Sequence, residues 1–91
     1  MSDLNKALGK VLAKYRQAAR HSQESLAFEC NLHPTYISQL ERGIKSPTVR
    51  VIFLLASALG VRPSKLLQET EEKVDVGGGA VCARRGSRRT P

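Results

Sequence analysis

The chain has 91 residues, enough for one small domain but too few to build the deep cleft that most enzymes need. Apolar residues make up 41% of it and aromatic residues only 4%, a balance that favours aliphatic helices over a sheet. The formal net charge of +7 favours a polyanionic partner. We therefore expect an all-α binding module and no enzyme.

The positive charge is unevenly distributed along the chain. Residues 76–91 contain four Arg and no acidic residue, whereas residues 1–75 carry 11 Lys+Arg against 8 Asp+Glu, a net charge of +3. The end of the chain, GGGAVCARRGSRRTP, has almost no large apolar side chain whose burial could offset the entropy of ordering. We interpret residues 1–75 as the folded domain and residues 76–91 as a flexible basic tail.

Several site types and locations are disfavoured by the sequence. Cys30 and Cys82 form no Cys-x-x-Cys pair, and Cys30 with His33 supplies too few ligands for zinc. No Ser/His/Asp set, paired carboxylates or phosphate-binding glycine loop stands out. No apolar window approaches 18 residues, and the chain begins without a signal-peptide pattern. We expect no metal, cofactor or membrane partner, and a reducing, cytoplasmic location.

Two helices are predicted in the first third of the chain. Residues 4–19 place apolar residues on one helical stripe: Leu8, Leu12, Tyr15 and Ala19. Ser22 is a good N-cap for a second, short helix over Gln23–Cys30. In this helix Leu26, Ala27 and Cys30 are expected to face inward.

A sharp turn and a third helix are predicted next. Asn31 tolerates the left-handed conformation and can end the second helix. Pro34 suits the first position of another helix, residues 34–42, because its missing N–H would be unpaired there. Ile37 and Leu40 form an inward pair before Gly43 ends the helix.

Two further helices complete a compact bundle of about five. The sequence Ser46-Pro47-Thr48 is a helix start signal, and the helix after it should end at Gly60. Its predicted inward stripe comprises Val49, Ile52, Leu55, Ala56 and Leu59. Pro63 opens the fifth helix, in which Leu66 and Leu67 are apolar.

The second and third helices have helix-turn-helix spacing, although a generic helical bundle would share this periodicity. Residues 8–67 contain blocks of residues that are more specific: SQESLA at 22–27, YISQLERG at 36–43, SPT at 46–48 and ALGV at 58–61. With the upstream LGKVLAKYRQ, this stretch resembles the Cro and phage-repressor (lambda-repressor-like, Xre-type) helix-turn-helix domain. His33 stands where that family usually has a Ser or Thr N-cap, and Asn31 replaces its turn glycine.

The resemblance implies that the third helix enters the major groove of DNA. Its outward residues would then be the candidate base-reading set: Pro34, Thr35, Tyr36, Ser38 and Gln39. Helical periodicity agrees, because residues 35, 38, 39 and 42 share a face opposite Ile37 and Leu40. Gln can bind adenine with two hydrogen bonds, and Ser and Thr can contact base edges. A solvated face without function is the alternative for these polar residues.

Phosphate contacts are expected around the third helix. The resemblance implies that Gln23 touches a backbone phosphate. Arg42, Lys45 and Arg50 surround the loop after the third helix, where cations and helix-terminal amides can bind phosphates. The resemblance also implies a partly buried ion pair, formed by the residues matching Arg16 and Glu41, that holds the third helix at its angle.

The fourth helix carries a second apolar row, Val51, Leu54 and Ala58, which we assign with Leu67 to a homodimer interface. Packing of this row within one chain is the alternative.

We expect a homodimeric transcriptional regulator, repressor-like, on a near-palindromic operator of double-stranded DNA. A restriction-modification controller or a toxin-antitoxin antitoxin fits equally, and a protein-interaction module with vestigial DNA binding is the rival from another class. No small-molecule effector is evident, and the tail is either a DNA contact or a solubilising end.

Overall fold

The computed structural model describes residues 3–78, and the side chains of residues 3–74 within that range. This part of the chain is all-α, as predicted, with five helices and no strand: α1 (Asp3–Ala18), α2 (Gln23–Cys30), α3 (Pro34–Glu41), α4 (Val49–Leu59) and α5 (Pro63–Gly78). The predicted tail lies outside the described residues, except for residues 76–78. Those residues belong to α5, since extending a formed helix costs far less than nucleating one.

The helix ends follow local signals that the sequence displays. The Ser22 hydroxyl accepts a hydrogen bond from the Ser25 N–H at 2.9 Å and caps α2. The Thr48 hydroxyl accepts one from the Val51 N–H at 3.1 Å and caps α4. At the other end of α4, Gly60 has a φ of 72°, the left-handed conformation that glycine adopts without steric cost.

One hydrophobic core joins all five helices. Its buried residues are Leu8, Val11, Leu12, Leu26, Ala27, Cys30, Ile37, Leu40, Ile52, Leu55, Ala56 and Leu66. Two expected inward positions are wrong: Val49 is 70% exposed, and Ala19 is exposed beyond the end of α1. Each lies at the end of its stripe, where the helix has passed the edge of the core. Val11, absent from the predicted stripe, is fully buried.

The last helix is held to the first by a polar cluster beside the core. Glu69 forms an ion pair with Lys14 at 2.7 Å and accepts a hydrogen bond from the Tyr15 hydroxyl. Next to it on α5, the buried Thr70 hydroxyl donates to the Leu66 carbonyl at 2.7 Å, which satisfies a polar group inside the core. The cluster fixes the angle at which α5 crosses α1.

This cluster predicts a pH dependence of stability. The hydrogen bonds from Lys14 and Tyr15 hold the pKa of the Glu69 carboxyl below its ordinary value of 4.5. A lowered pKa stabilises the fold above that value, and the contribution is lost as the pH falls through the folded-state pKa. We expect Glu69→Gln to be less stable than wild type in urea unfolding at neutral pH. The difference should shrink below pH 4.5, and a gap independent of pH would contradict the assignment.

No single helix among residues 3–78 has the length and apolar character needed to cross a membrane. Helix α4 combined with the α5 segment Pro63–Val74 meets both criteria, but the two are bent by 108° at their junction.

Candidate functional site

The turn between α2 and α3 brings two short helices together at an angle. Asn31 adopts the left-handed conformation predicted for it, with φ 57°. The Leu32 N–H then donates to the Ala27 carbonyl at 2.8 Å, and the Leu32 side chain packs against the core. Asn31 therefore adopts the backbone conformation that a glycine has at this turn in the family. The predicted helix-turn-helix geometry is confirmed.

The first residue after this turn caps the next helix. The Thr35 N–H donates to Nδ1 of His33 at 3.1 Å, and His33 has extended backbone angles, as an N-cap residue requires. Because Nδ1 accepts, the neutral ring carries its proton on Nε2. His33 thus replaces a Ser or Thr cap by different chemistry at the same position.

Substitutions at His33 should separate the cap from the ring. His33→Ala removes the acceptor, and we expect the free energy of unfolding to fall by about 1 kcal/mol. His33→Asn places an amide oxygen close to the position of Nδ1, so it should retain most of the stability. Urea denaturation of both variants is the measurement; an equal loss in the two would show that Nδ1 does not stabilise α3.

Helix α3 has one face fixed in the core and one left open. Ile37 and Leu40 are each 2% exposed, and they hold the helix to the bundle. On the opposite side Thr35 is exposed, while Ser38 and Gln39 are half-buried. The three central candidates for base reading therefore lie outside the core, on the face that helical periodicity predicted.

The other two candidates for base reading are less free. Tyr36 is half-buried and packs against the core, and Pro34 is half-buried at the first position of α3. Pro34 has no N–H to donate, so only its ring can contact DNA. A role in base reading stays a prediction for both residues.

A network of charged and polar groups ties α3 to α1 and α2. Arg16 of α1 donates to the Glu41 carboxylate through Nε at 2.6 Å and through a terminal nitrogen at 3.2 Å. Its other terminal nitrogen donates to the His21 carbonyl at 2.8 Å. The side chains of Arg16 and Glu41 are only 13% and 7% exposed. This is the ion pair that the family resemblance implied, and it sets the position of α3.

Gln23, the expected phosphate contact on α2, also belongs to this network. Its amide nitrogen donates to the Glu41 carboxylate at 3.0 Å. An amide nitrogen has two protons, so the second can still reach a phosphate outside the protein. The sequence alone gave no sign of the bond to Glu41, which joins residues that are 18 positions apart.

The loop after α3 presents cations around the start of α4. Arg42, Lys45 and Arg50 are all exposed, and none of them forms an ion pair with another residue of the described part. The N-terminal amides of α4 lie in the same region, where they favour an anion. The three cations are therefore accessible to a phosphate, and their role as phosphate contacts stays a prediction.

The apolar row predicted for the dimer interface divides into two parts. Leu54 on α4 and Leu67 on α5 are 39% and 47% exposed. Val51 and Ala58 are half-buried and pack against the core of their own chain. Intrachain packing therefore covers part of the row, and the exposed leucines leave an apolar surface for a partner.

Comparison with known proteins agrees with this geometry. A family model for helix-turn-helix domains matches residues 12–66. Control protein C.BamHI of Bacillus amyloliquefaciens is 53% identical over 49 residues, which are 54% of this chain and 60% of that protein. The chain thus spans less than two thirds of the length of that relative.

Solved structures show the same arrangement of helices. The restriction-modification controller protein C.AhdI from Aeromonas hydrophila superposes with a TM-score of 0.67 at 38% identity, over 72% of this chain and 98% of that one. The controller protein C.Esp1396I, as a tetramer with its natural 35 base-pair operator, gives a TM-score of 0.72 at 28% identity, over 81% and 97%. With the family match, these likenesses show that the chain belongs to the helix-turn-helix family.

Proposed function

We propose that this protein is a transcriptional regulator that binds a specific sequence of double-stranded DNA and performs no catalysis. One observation carries the proposal. Helix α3 is locked to the core through Ile37 and Leu40, while Thr35, Ser38 and Gln39 point away from it. A rigid helix with a polar outer face is the element that fits the major groove and reads base edges by hydrogen bonds.

The surroundings of α3 support the same function. Arg42, Lys45 and Arg50 flank the helix with unpaired positive charge. Contacts between such cations and backbone phosphates hold a protein in register on the duplex without reading its sequence. Repression follows where the bound site overlaps a promoter, and a cytoplasmic location belongs to the same proposal.

The proposed active form is a homodimer. The exposed side chains of Leu54 on α4 and Leu67 on α5 offer apolar surface that a second copy of the chain could cover across a two-fold axis. Two-fold symmetry would place the two α3 helices about 34 Å apart, one turn of DNA. The operator would therefore be near-palindromic, and C.Esp1396I, which is a tetramer on its natural operator, provides the supporting likeness.

Selection of bound duplexes from a random pool tests these points together. The recovered consensus should contain two half-sites related by a two-fold axis, with centres one helical turn apart. A consensus with a single unrepeated site would contradict the homodimer. Failure to enrich any sequence would contradict sequence-specific binding and favour a protein-interaction module.

Two variants then separate base reading from phosphate binding. Gln39→Ala should relax the base preference at one position of each half-site by about 1–3 kcal/mol and leave the others intact. Arg42→Ala should weaken binding to all duplexes alike and reduce the salt dependence. Binding titrations on specific and random duplexes at several salt concentrations are the measurement. An equal loss on both duplexes for both variants would contradict these roles.

Control of a restriction-modification system is the more specific candidate function. It is favoured by the control protein C.BamHI, which is 53% identical to this chain over 49 residues. On this reading the selected consensus should occur upstream of the genes for a restriction endonuclease and its methyltransferase in the source genome. Its absence there would leave a regulator of other genes, an antitoxin among them.

A further inference from the structure

The N-terminal half of α1 lies directly against the end of α3. Gly43, the residue that follows the α3 cap, has a φ of 78°. A Cβ atom at this position would lie 2.7 Å from Cγ and 2.9 Å from Cα of Lys6, so only glycine fits there without a shift. Gly43 directly follows the phosphate-contact candidate Arg42 and lies two residues before the candidate Lys45. Lys6 therefore packs against the chain segment that carries both candidates, although it is remote from them in sequence.

Lys6 begins a basic groove on this side of the molecule. Lys6 and Lys10 are one helical turn apart on α1, and both are exposed. Together with Lys73 of α5 and Asp3 they line an open groove of about 420 Å³. Three lysines against one aspartate give this groove a net charge of +2.

This arrangement does not stabilise the fold. Like charges at positions i and i+4 of a helix repel each other, and a cation close to the first turn of a helix, as Lys6 is, opposes the helix dipole. Neither Lys6 nor Lys10 lies within ion-pair distance of a carboxylate in the described part of the chain. Lys14, one turn further along α1, is paired with Glu69. The charge of Lys6 and Lys10 therefore lacks an internal partner, which suits an anion outside the protein.

We propose that Lys6 and Lys10 bind backbone phosphates of the DNA that flanks the bases read by α3. The inference rests on the proposed function and extends it, because it adds a second phosphate-binding surface on α1 to the loop after α3. Continuity carries the argument: Lys6 touches Gly43, and Lys10 extends the same line of charge away from α3. The flanking contacts would add affinity on any sequence and would lengthen the DNA segment that the protein covers.

A double substitution, K6Q with K10Q, tests this proposal. Glutamine keeps the Cβ and Cγ that lysine has, so the contact of residue 6 with Gly43 is retained. We expect the negative slope of log affinity against log salt to become shallower by about 1.8, since each of the two phosphate contacts contributes about 0.9. The base preference should not change. The effect should disappear on a duplex cut back to the base pairs that α3 reads, and thermal unfolding should show no loss of stability.

Two controls make the outcomes distinguishable. Lys14→Gln removes a neighbouring lysine that is held by Glu69, and it should leave the salt slope unchanged. Arg42→Ala should make this slope shallower by about 0.9. If Arg42→Ala does so and the double variant does not, the α1 surface is refuted while the proposed function stands. If wild type binds neither the selected duplex nor random duplexes, the proposed function fails as well.

Discussion

Replacing Glu41 with Ala is expected to lower the free energy of unfolding by about 3–5 kcal/mol. The carboxylate accepts two hydrogen bonds from Arg16 and one from Gln23 in a site where its side chain is only 7% exposed. Removing it leaves the guanidinium of Arg16 nearly buried without a counter-charge, and that desolvation is what makes the loss large. Urea denaturation with an unchanged m-value is the measurement.

A matched control and a double variant identify the cause. Glu29→Ala removes a glutamate from an exposed position on α2 and should change stability by less than about 0.5 kcal/mol. Arg16→Met combined with Glu41→Leu removes both charges at once. This pair should be more stable than the sum of the single losses predicts, because no buried charge is left alone. A loss below about 1 kcal/mol in Glu41→Ala would mean that the ion pair is exposed to water in solution.

The same substitution should weaken DNA binding on every sequence. Glu41 is the last residue of α3, and its carboxylate is hydrogen-bonded to Arg16 and Gln23, so we expect it to act on recognition through the position of the helix. Gln39→Ala, in contrast, should change the preference at one base pair. The comparison separates a residue that positions the recognition helix from a residue that reads DNA.

The helices and their ends could be predicted because their signals are local. Ser22, Asn31 and Gly60 act through bonds to residues within one turn, so the sequence around each position contains the whole argument. The outward face of α3 follows from periodicity in the same way. Val49 shows the limit of periodicity: it continues the stripe of α4, but it lies beyond the edge of the core.

The contacts that join distant segments could not be predicted from composition or periodicity. Glu69 is 54 residues from Tyr15, and nothing near either residue marks the other as its partner. The Arg16–Glu41 pair was expected only because a known family has it. His33 stood out in the sequence only as a departure from the family's Ser or Thr cap, and its bond to the Thr35 N–H is visible only in the structure. Prediction of the residues that position α3 therefore requires the tertiary structure, whereas the outward residues of α3 follow from helical periodicity.

Gly9 is a signal in the sequence that only tertiary structure explains. Glycine inside a helix costs about 1 kcal/mol relative to alanine, so helix propensity alone predicts that Gly9→Ala stabilises α1. A Cβ atom at this position would lie 2.4 Å from the carbonyl oxygen of Glu41 and 2.5 Å from that of Leu40. These are backbone atoms at the end of α3 and cannot rotate away. The close approach of α1 and α3 therefore requires glycine.

We expect Gly9→Ala to lower the free energy of unfolding by about 3 kcal/mol, the upper end of the range for overpacking, because the backbones of two helices must separate. Gly60→Ala is the matched control: its added Cβ meets nothing within 4 Å, and only the left-handed φ of 72° opposes it, at about 1–2 kcal/mol. Urea denaturation should thus rank Gly9→Ala as the less stable variant. A gain in stability for Gly9→Ala would be the result that helix propensity predicts. It would contradict the close approach of α1 to the end of α3.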